Sequence, residues 1–255
     1  FSSLNYIRAR HDTERDAAVT RRLRASASRD DHRRHSITRH HMDVLLLGAS
    51  GRIGQRITNE LLDRGHAVTG VSRRGDAPDG VGDADDFVAV AGDATDPDDV
   101  AELAEGHDAV ASALGPSEDE DTDVLEEMMT AVIEGMRRAS VDRLVWTGGA
   151  AIMKVGPDTR PIETEEFPDG WVPVAQSAID AYGVLAEADD LRWTYVTPAA
   201  LIEPGERTGE YRTSTEELVT DDEGDSYVSM EDFAIAFVDE LEGDEAIHQK
   251  LNVAY

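Results

Sequence analysis

Three glycines between an apolar run and an amphipathic segment constrain this fold more than any other feature of the sequence. The run Val44 to Leu47 predicts a buried parallel strand, and Gln55 to Arg64 repeats apolar residues at a helical period. Gly48, Gly51 and Gly54 follow the strand at spacings of three residues. A strand, a glycine-rich turn and a helix in this order direct backbone N–H groups and a helix N-terminus toward one point. The stretch, which we call the glycine turn, therefore predicts a phosphate-binding site.

The three glycines are expected to play different roles in the glycine turn. Gly48 lets the chain turn, Gly51 lets a pyrophosphate approach the backbone, and Gly54 lets the helix pack on the sheet. Ser50 is expected either to cap the helix or to donate to a phosphate. The cofactor-binding residues predicted in this motif are Gly48, Ser50, Gly51, Arg52, Ile53 and Gly54.

Strand and helix patterns alternate along the rest of the chain. Further strands are predicted at His66 to Ser72, Phe87 to Ala91, Asp108 to Ala113, Arg143 to Thr147, Trp193 to Thr197 and Lys250 to Ala254. Further helices are predicted at Asp96 to Leu103, Asp121 to Ser140, Ser177 to Ala188 and Ser229 to Leu241, with a long loop from Ala150 to Ala175. The alternation predicts an α/β fold, a doubly wound parallel sheet (Rossmann), with a small C-terminal substrate-side region at about residues 198–227.

Residues 1–41 differ in composition from residues 42–255, which we expect to form one dinucleotide-binding domain. The first 41 residues hold ten Arg and five acidic residues without sustained apolar periodicity. Nucleic-acid tails and targeting peptides share this composition. Because Met42 stands directly before the first strand, we favour a disordered basic extension. Its five His would then lack a rigid scaffold, and we predict no metal site.

The body of the chain is strongly acidic, with 14 basic and 49 acidic residues between positions 42 and 255. A cationic partner is one explanation. We favour a halophilic surface suited to concentrated salt, because screening removes self-repulsion. Nucleic-acid binding by the body is disfavoured, since phosphates would meet a like-charged surface. The chain has no Cys, and no apolar run reaches the roughly 18 residues of a membrane span. We therefore expect a cytoplasmic protein without a membrane partner, and leave the oligomeric state open.

The end of the second predicted strand indicates which dinucleotide binds. An acidic residue there would accept from the adenosine ribose 2′-OH and favour NAD. This chain instead has Ser72, Arg73 and Arg74, and Arg52 of the glycine turn is expected to converge on the same place. Guanidinium groups bind a 2′-phosphate through charge-assisted hydrogen bonds, so NADP(H) is favoured over NAD(H). The alternative is that these arginines pair with nearby acids such as Asp76.

Residues at the other strand ends are predicted to line the path of the cofactor. The Asp93 carboxylate either accepts from the adenine amino group or caps the next helix, and both possibilities stay open. Thr147, a catalytic and cofactor-binding candidate, either orients the substrate or nicotinamide ribose through its hydroxyl or has no role. The other cofactor-binding residues predicted at strand ends are Ala113, Leu114, Gly115, Gly148 and Pro198.

The glycine turn, the Gly92–Asp93 pair and the glycines after the fifth strand resemble the atypical, NAD(P)H-binding branch of the short-chain dehydrogenase/reductase superfamily. The C-terminal third is similar to NADH-flavin reductase-like members of that branch. The segments that carry this similarity are Thr164 to Trp171, Trp193 to Ala200, Glu203 to Arg212 and Gly224 to Ala234. The resemblance extends from Met42 to about Val253, and it implies a nicotinamide cofactor and a reductase activity.

The chain departs from that superfamily at the catalytic pair. Standard members use a Tyr with a Lys four residues later, and the Lys lowers the pKa of the Tyr for proton transfer. The candidate here is Tyr182, but position 186 is Ala, so packing or pocket lining is the favoured role of Tyr182. This departure weakens alcohol oxidation and sugar epimerisation more than flavin reduction, where stacked rings pass hydride directly.

The favoured hypothesis is an NAD(P)H-dependent reductase that transfers hydride to a flavin or a similar small-molecule conjugated acceptor. Arg207 is a candidate anion contact for that acceptor, with an ion pair to a nearby acid as the alternative. One rival hypothesis is a non-catalytic NADP(H)-binding sensor. A less favoured one is a nucleotide-sugar epimerase or dehydratase.

Overall fold

The computed structural model describes residues 41–82, 84–115, 124–165 and 167–255. The basic extension up to residue 40 and the start of the helix predicted from Asp121 lie outside the described residues. No helix in the described part of the chain has the length and apolar character needed to cross a bilayer.

Eight strands form one twisted sheet in the order β3-β2-β1-β4-β5-β6-β10-β8. All neighbours are parallel except β8, which runs antiparallel to β10. Its strands are β1 (Asp43–Leu47), β2 (Ala67–Ser72), β3 (Phe87–Ala91), β4 (Ala109–Ser112), β5 (Arg143–Thr147), β6 (Arg192–Pro198), β8 (Arg212–Ser214) and β10 (Gln249–Ala254). A separate parallel pair consists of β7 (Leu201–Glu203) and β9 (Tyr227–Ser229).

Among the described residues, five helices cover the two faces of the sheet, as the doubly wound prediction requires. They are α1 (Arg52–Asp63), α2 (Pro97–Ala104), α3 (Val124–Ala139), α4 (Val172–Ala186) and α5 (Met230–Gly243). The β1 strand lies between β2 and β4, so the chain leaves it in one direction and later returns to its other side. A crevice opens at such a reversal, beyond the carboxyl ends of the strands.

The core has two layers because the central strands are apolar on both faces. Leu45 and Leu47 of β1 join the cluster under α2, α3 and α4, whereas Val44 and Leu46 join the cluster under α1 and α5. Every one of these four side chains is at most 1% exposed. Continuous apolar runs of this kind are typical of parallel strands buried from both sides.

The first and last helices pack directly against each other. Arg56 of α1 bonds Glu231 of α5 at 2.7 Å, and Arg64 after α1 bonds Asp239 of α5 at the same distance. Arg64 is only 11% exposed and also bonds Glu60 and Glu242. In this acidic chain one arginine therefore bonds three carboxylates at the α1–α5 interface.

The α4 helix begins five residues earlier than the sequence pattern predicts, at Val172 instead of Ser177. Pro173 lies in its first turn, where a backbone N–H has no intrahelical partner and proline is tolerated. The preceding segment, predicted as a loop, contains the short 3₁₀ turns Ala150–Ile152, Pro161–Glu163 and Asp169–Trp171. The predicted bounds of β3 and β5 are confirmed.

Candidate functional site

The glycine turn brings the N-terminus of α1 against the end of β1. Gly48 has a φ of +81°, and a Cβ atom there would lie 2.8 Å from the Ala113 carbonyl oxygen. A Cβ atom at Gly54 would lie 2.1 Å from the Gly48 carbonyl oxygen, closer than any side chain allows. Gly51 is the N-cap of α1 and no side chain caps the helix there. The first N–H groups of α1 are therefore available to an anion.

Ser50 does not cap α1, because Gly51 takes the N-cap position and leaves Ser50 one residue outside the helix. The Ser50 side chain is exposed and lines the adjoining cavity. Its alternative predicted role, donation to a phosphate, agrees with that position and stays a prediction.

A cavity of about 400 Å³ lies over the carboxyl ends of β1, β2 and β4. Its volume is within the range of small-molecule sites. The predicted cofactor-binding residues that line it are Gly48, Ser50, Gly51, Arg73, Asp93, Ala113, Leu114 and Gly115. The predicted residues that do not line it are Arg52, Ile53, Gly54, Arg74, Thr147, Gly148 and Pro198. Sequence reasoning missed Val124 and Met128, which reach the cavity from α3 and whose helical periodicity indicated only core packing.

The three arginines expected around a 2′-phosphate do not converge. Only Arg73 lines the cavity. Arg74 is 87% exposed and pairs with Asp76 at 3.1 Å, the alternative that the sequence left open. Arg52 is an exposed first residue of α1 and is not part of the cavity wall. Of the three arginines, Arg73 is therefore the one placed to bind a phosphate on the adenosine ribose.

Asp93 lines the cavity and fixes the turn before α2 without capping that helix, and its predicted acceptance from the adenine amino group stays a prediction. Its Oδ1 atom accepts from the Thr95 backbone at 3.0 Å and from the Thr95 hydroxyl at 2.7 Å, which forms the turn before α2. These bonds, with the nearby charge of Arg73, hold the pKa of Asp93 below its usual range. The helix cap itself is Asp96, whose side chain accepts from the Asp98 backbone. Asp93 therefore presents a fixed, ionised carboxylate to the cavity.

The end of β5 supplies a hydroxyl and a glycine at the other end of the crevice. The Thr147 Oγ1 atom is buried and has no hydrogen-bond partner among the described residues. A Cβ atom at Gly148 would lie 1.9 Å from the Tyr195 ring, so only glycine fits there. An unpaired buried hydroxyl costs free energy, and the predicted role of Thr147 toward the substrate or the nicotinamide ribose stays a prediction.

The end of β6 is fixed by a residue that sequence reasoning missed. Asn252 of β10 is fully buried, and its Nδ2 atom donates to the Pro198 carbonyl at 2.8 Å and to the Thr197 hydroxyl at 3.0 Å. Its Oδ1 atom accepts from the Val219 backbone at 2.8 Å. Pro198, predicted to border the cofactor, is itself buried. Asn252 thus holds the strand end that precedes the substrate-side region.

Tyr182 packs in the core layer instead of forming a proton relay. Its ring lies edge-on to Trp193 at 6.1 Å and to Tyr195 at 5.2 Å between centroids. Burial raises the pKa of Tyr182. The Lys250 ammonium donates to the Ile152 carbonyl at 2.9 Å, and Lys154 pairs with Asp158. The geometry therefore favours the packing role of Tyr182 that its missing Lys partner indicates.

Arg207 forms an ion pair with Glu60 of α1 instead of facing the crevice. Its Nη2 atom lies 2.9 Å from Glu60 Oε2, and the Glu60 side chain is only 6% exposed. Arg207 also does not line the cavity. The ion-pair alternative therefore describes Arg207 better than the predicted acceptor contact, because a buried carboxylate needs its charge compensated.

The chain matches the family described as NAD(P)H-binding over residues 48–244. Among solved structures, it is 42% identical to a protein from Burkholderia pseudomallei, covering 84% of this chain and 100% of that one, with a TM-score of 0.76. A protein from Bacteroides thetaiotaomicron is 31% identical, with coverage of 85% and 98% and a TM-score of 0.77. A protein from Streptococcus pneumoniae TIGR4 is 28% identical, with coverage of 84% and 99% and a TM-score of 0.73.

The names of these three proteins, each qualified as putative, are exported protein, epimerase and NADH-flavin reductase, respectively. They agree on the fold and differ on the activity. The family match includes the glycine turn, the Arg73 position and the end of β5. This protein is therefore a member of the NAD(P)H-binding oxidoreductase family in the atypical branch of the short-chain dehydrogenase/reductase superfamily.

Proposed function

We propose that this protein is an NADPH-dependent reductase whose acceptor is a flavin or another conjugated small molecule. The observation that carries the proposal is a well-formed dinucleotide site without a Tyr–Lys pair. NADPH, when bound, supplies a hydride to the acceptor and becomes NADP⁺, and one solvent proton completes the two-electron reduction. A reaction of this kind needs positioning more than a protein acid.

The residues of the chain divide the binding task between the two ends of the crevice. Backbone N–H groups at the glycine turn would hold the pyrophosphate, since α1 begins there without a side-chain cap. Arg73 would pair with the 2′-phosphate, and Asp93 would accept from the adenine amino group. The buried Thr147 hydroxyl would bond the nicotinamide end or the acceptor.

The test is oxidation of NADPH, followed at 340 nm, with riboflavin, FMN, FAD and quinones as acceptors. The assay belongs in concentrated salt, because the acidic surface is expected to repel itself in dilute buffer. We expect turnover with at least one acceptor and a raised Tm in the presence of NADPH. A raised Tm without turnover on any acceptor would support the sensor hypothesis and contradict the reductase.

A further inference from the structure

The beginning of α4 carries an exposed apolar surface that the cofactor does not account for. Trp171, Val172 and Val174 are 56%, 39% and 37% exposed, whereas Ala175 and Ala178 on the same helix are buried. We call these three exposed side chains the α4 rim. The chain has only three Trp, and the other two are at most 3% exposed. An exposed tryptophan beside two exposed valines indicates a surface that contacts an apolar ligand.

The position of α4 places this rim at the acceptor end of the crevice. A Cβ atom on Gly149, two residues beyond β5, would lie 3.3 Å from the Ala178 Cβ atom. The helix leads into β6 and therefore runs opposite to the strands, so residues before Ala178 extend past the strand ends. Trp171 lies seven residues earlier, which is about 10 Å along a helix. The rim thus lies beyond the carboxyl ends of the strands, on the face of the sheet that α4 covers.

A second apolar side chain follows the neighbouring strand on the other side of the sheet. Leu201 is 48% exposed and comes three residues after Pro198, the last residue of β6. It belongs to β7, whose Ile202 packs against the core layer under α1 and α5. The α4 helix, through Ala178 and Ala181, packs against the opposite layer. The end of β5 therefore has an apolar surface on each side.

The cations of these acceptor-side segments are already bonded within the protein. Among the described residues, the pairs are Lys154 with Asp158, Arg160 with Glu163, Arg207 with Glu60, Arg212 with the Thr220 and Tyr255 carbonyls, and Lys250 with the Ile152 carbonyl. Exposed acids flank the same surface, among them Asp169 before the rim and Glu203 after Leu201. A phosphate on the acceptor would meet negative charge without a counter-ion.

We propose that the α4 rim and Leu201 form the acceptor site and select an uncharged planar acceptor, such as riboflavin or a quinone, over FMN and FAD. The inference rests on the proposed reductase function and specifies its substrate class. Trp171 contributes a face on which a conjugated ring stacks. The surrounding acids oppose the phosphate groups of the nucleotide flavins.

The experiment compares the wild type with Trp171→Ala, Trp171→Phe and Asp169→Lys. Riboflavin and FMN binding are titrated by flavin fluorescence with NADP⁺ present, and kcat/KM is measured for both flavins with NADPH. The matched control is Val88→Ala, which changes another exposed apolar side chain, 57% exposed, on the distant β3 strand. NADPH affinity should be the same in every variant, since none of these residues lines the cofactor cavity.

We expect the wild type to bind riboflavin about tenfold more tightly than FMN, with the difference shrinking in concentrated salt. Trp171→Ala should weaken riboflavin binding about fivefold to tenfold, and Trp171→Phe should restore most of it. Asp169→Lys should improve FMN relative to riboflavin. Riboflavin binding at the rim without turnover would contradict the reductase while retaining this site. Equal binding of both flavins at the lowest salt concentration at which the protein stays folded, or no effect of Trp171→Ala, would overturn the acceptor-site proposal.

Discussion

The two edges of the sheet use polar residues in opposite ways. At the amino-terminal edge, Arg143 and Glu240 are both almost fully buried and bond each other at 3.1 Å. The Thr194 hydroxyl joins them, at 2.8 Å from Glu240 and 3.0 Å from Arg143. At the carboxyl edge, the Thr147 hydroxyl is buried without a partner among the described residues, and α1 begins without a side-chain cap.

This difference separates polar residues that stabilise the fold from polar residues that we expect to bind a ligand. A buried polar group lowers stability unless its bonds are completed, and at the amino-terminal edge Arg143, Glu240 and the Thr194 hydroxyl bond one another. At the carboxyl edge, we propose that a bound molecule completes the bonds of the Thr147 hydroxyl and of the first N–H groups of α1. The comparison predicts that substitutions at the first edge change stability, whereas those at the second change binding and turnover.

The largest effect on stability is expected at Gly54, where two backbone segments of the glycine turn are in close contact. Gly54→Ala would push a Cβ atom into the Gly48 carbonyl and should cost about 3 kcal/mol or more, with loss of the NADPH-induced rise in Tm. The control is Gly183→Ala in α4, where nothing lies within 4 Å. It should be neutral or stabilise by up to about 1 kcal/mol. Equal behaviour of the two variants would contradict the close packing at Gly54.

The second prediction addresses the amino-terminal edge directly. Glu240→Ala removes the buried acceptor of Arg143, Thr194 and Ala246, leaves Asp244 as the remaining carboxylate of Arg143, and should lower the free energy of unfolding by about 1–3 kcal/mol. Glu134→Ala removes one exposed partner of Arg138 and should cost at most about 1 kcal/mol. Denaturant unfolding measures both. The NADPH affinity of the folded protein should be unchanged. A large loss of affinity in Glu240→Ala would contradict the assignment of stability to one edge and binding to the other.

The third prediction concerns the choice of cofactor at the carboxyl edge. Arg73→Ala removes the cation that lines the cavity and should weaken NADPH binding by about 1.5–3 kcal/mol, with little change for NADH. Arg74→Ala removes the exposed partner of Asp76 and should leave both affinities nearly unchanged. Calorimetric titration of the two cofactors separates the variants. Equal weakening of NADPH and NADH by Arg73→Ala would remove the 2′-phosphate argument.

The prediction with the smallest expected effect compares the same substitution, Thr to Val, at the two edges of the sheet. Thr194→Val breaks a complete network and should lower stability by about 1–3 kcal/mol with turnover retained. Thr147→Val removes an unpaired hydroxyl and should leave stability unchanged or raise it by about 1 kcal/mol, while kcat falls about tenfold. Thermal unfolding and the acceptor assay decide between them. The reverse pattern would mean that the Thr147 hydroxyl has a structural role.

The sequence predicts the sheet well because its strands are apolar runs that end at glycine or acid. Phe87–Ala91 and Arg143–Thr147 have the predicted bounds for this reason. The start of α4 is mispredicted because Pro173 is typical of loops as well as of first helical turns. A local sequence pattern predicts secondary structure only where the competing structures, here a loop and a first helical turn, prefer different residues.

The candidate site is predicted only as far as the backbone determines it. The glycines and the Asp93 position follow from the strand–turn–helix pattern. That Arg73 lines the cavity while Arg74 pairs with Asp76 depends on side-chain packing, which the sequence does not reveal. The partner of Arg207 is Glu60, 147 residues away, and the role of Asn252 depends on β10 joining β6. Such long-range contacts leave no local pattern.

The ion pairs between α1 and α5 have a consequence for the order in which the protein matures on the ribosome. The glycine turn is synthesised early, but Arg56 and Arg64 meet Glu231 and Asp239 only after another 175 residues have followed. Until then one side of α1 lies open, and its arginines lack these partners. A nascent chain should therefore acquire cofactor affinity late, when α5 emerges and closes that side, and truncation before α5 should abolish it.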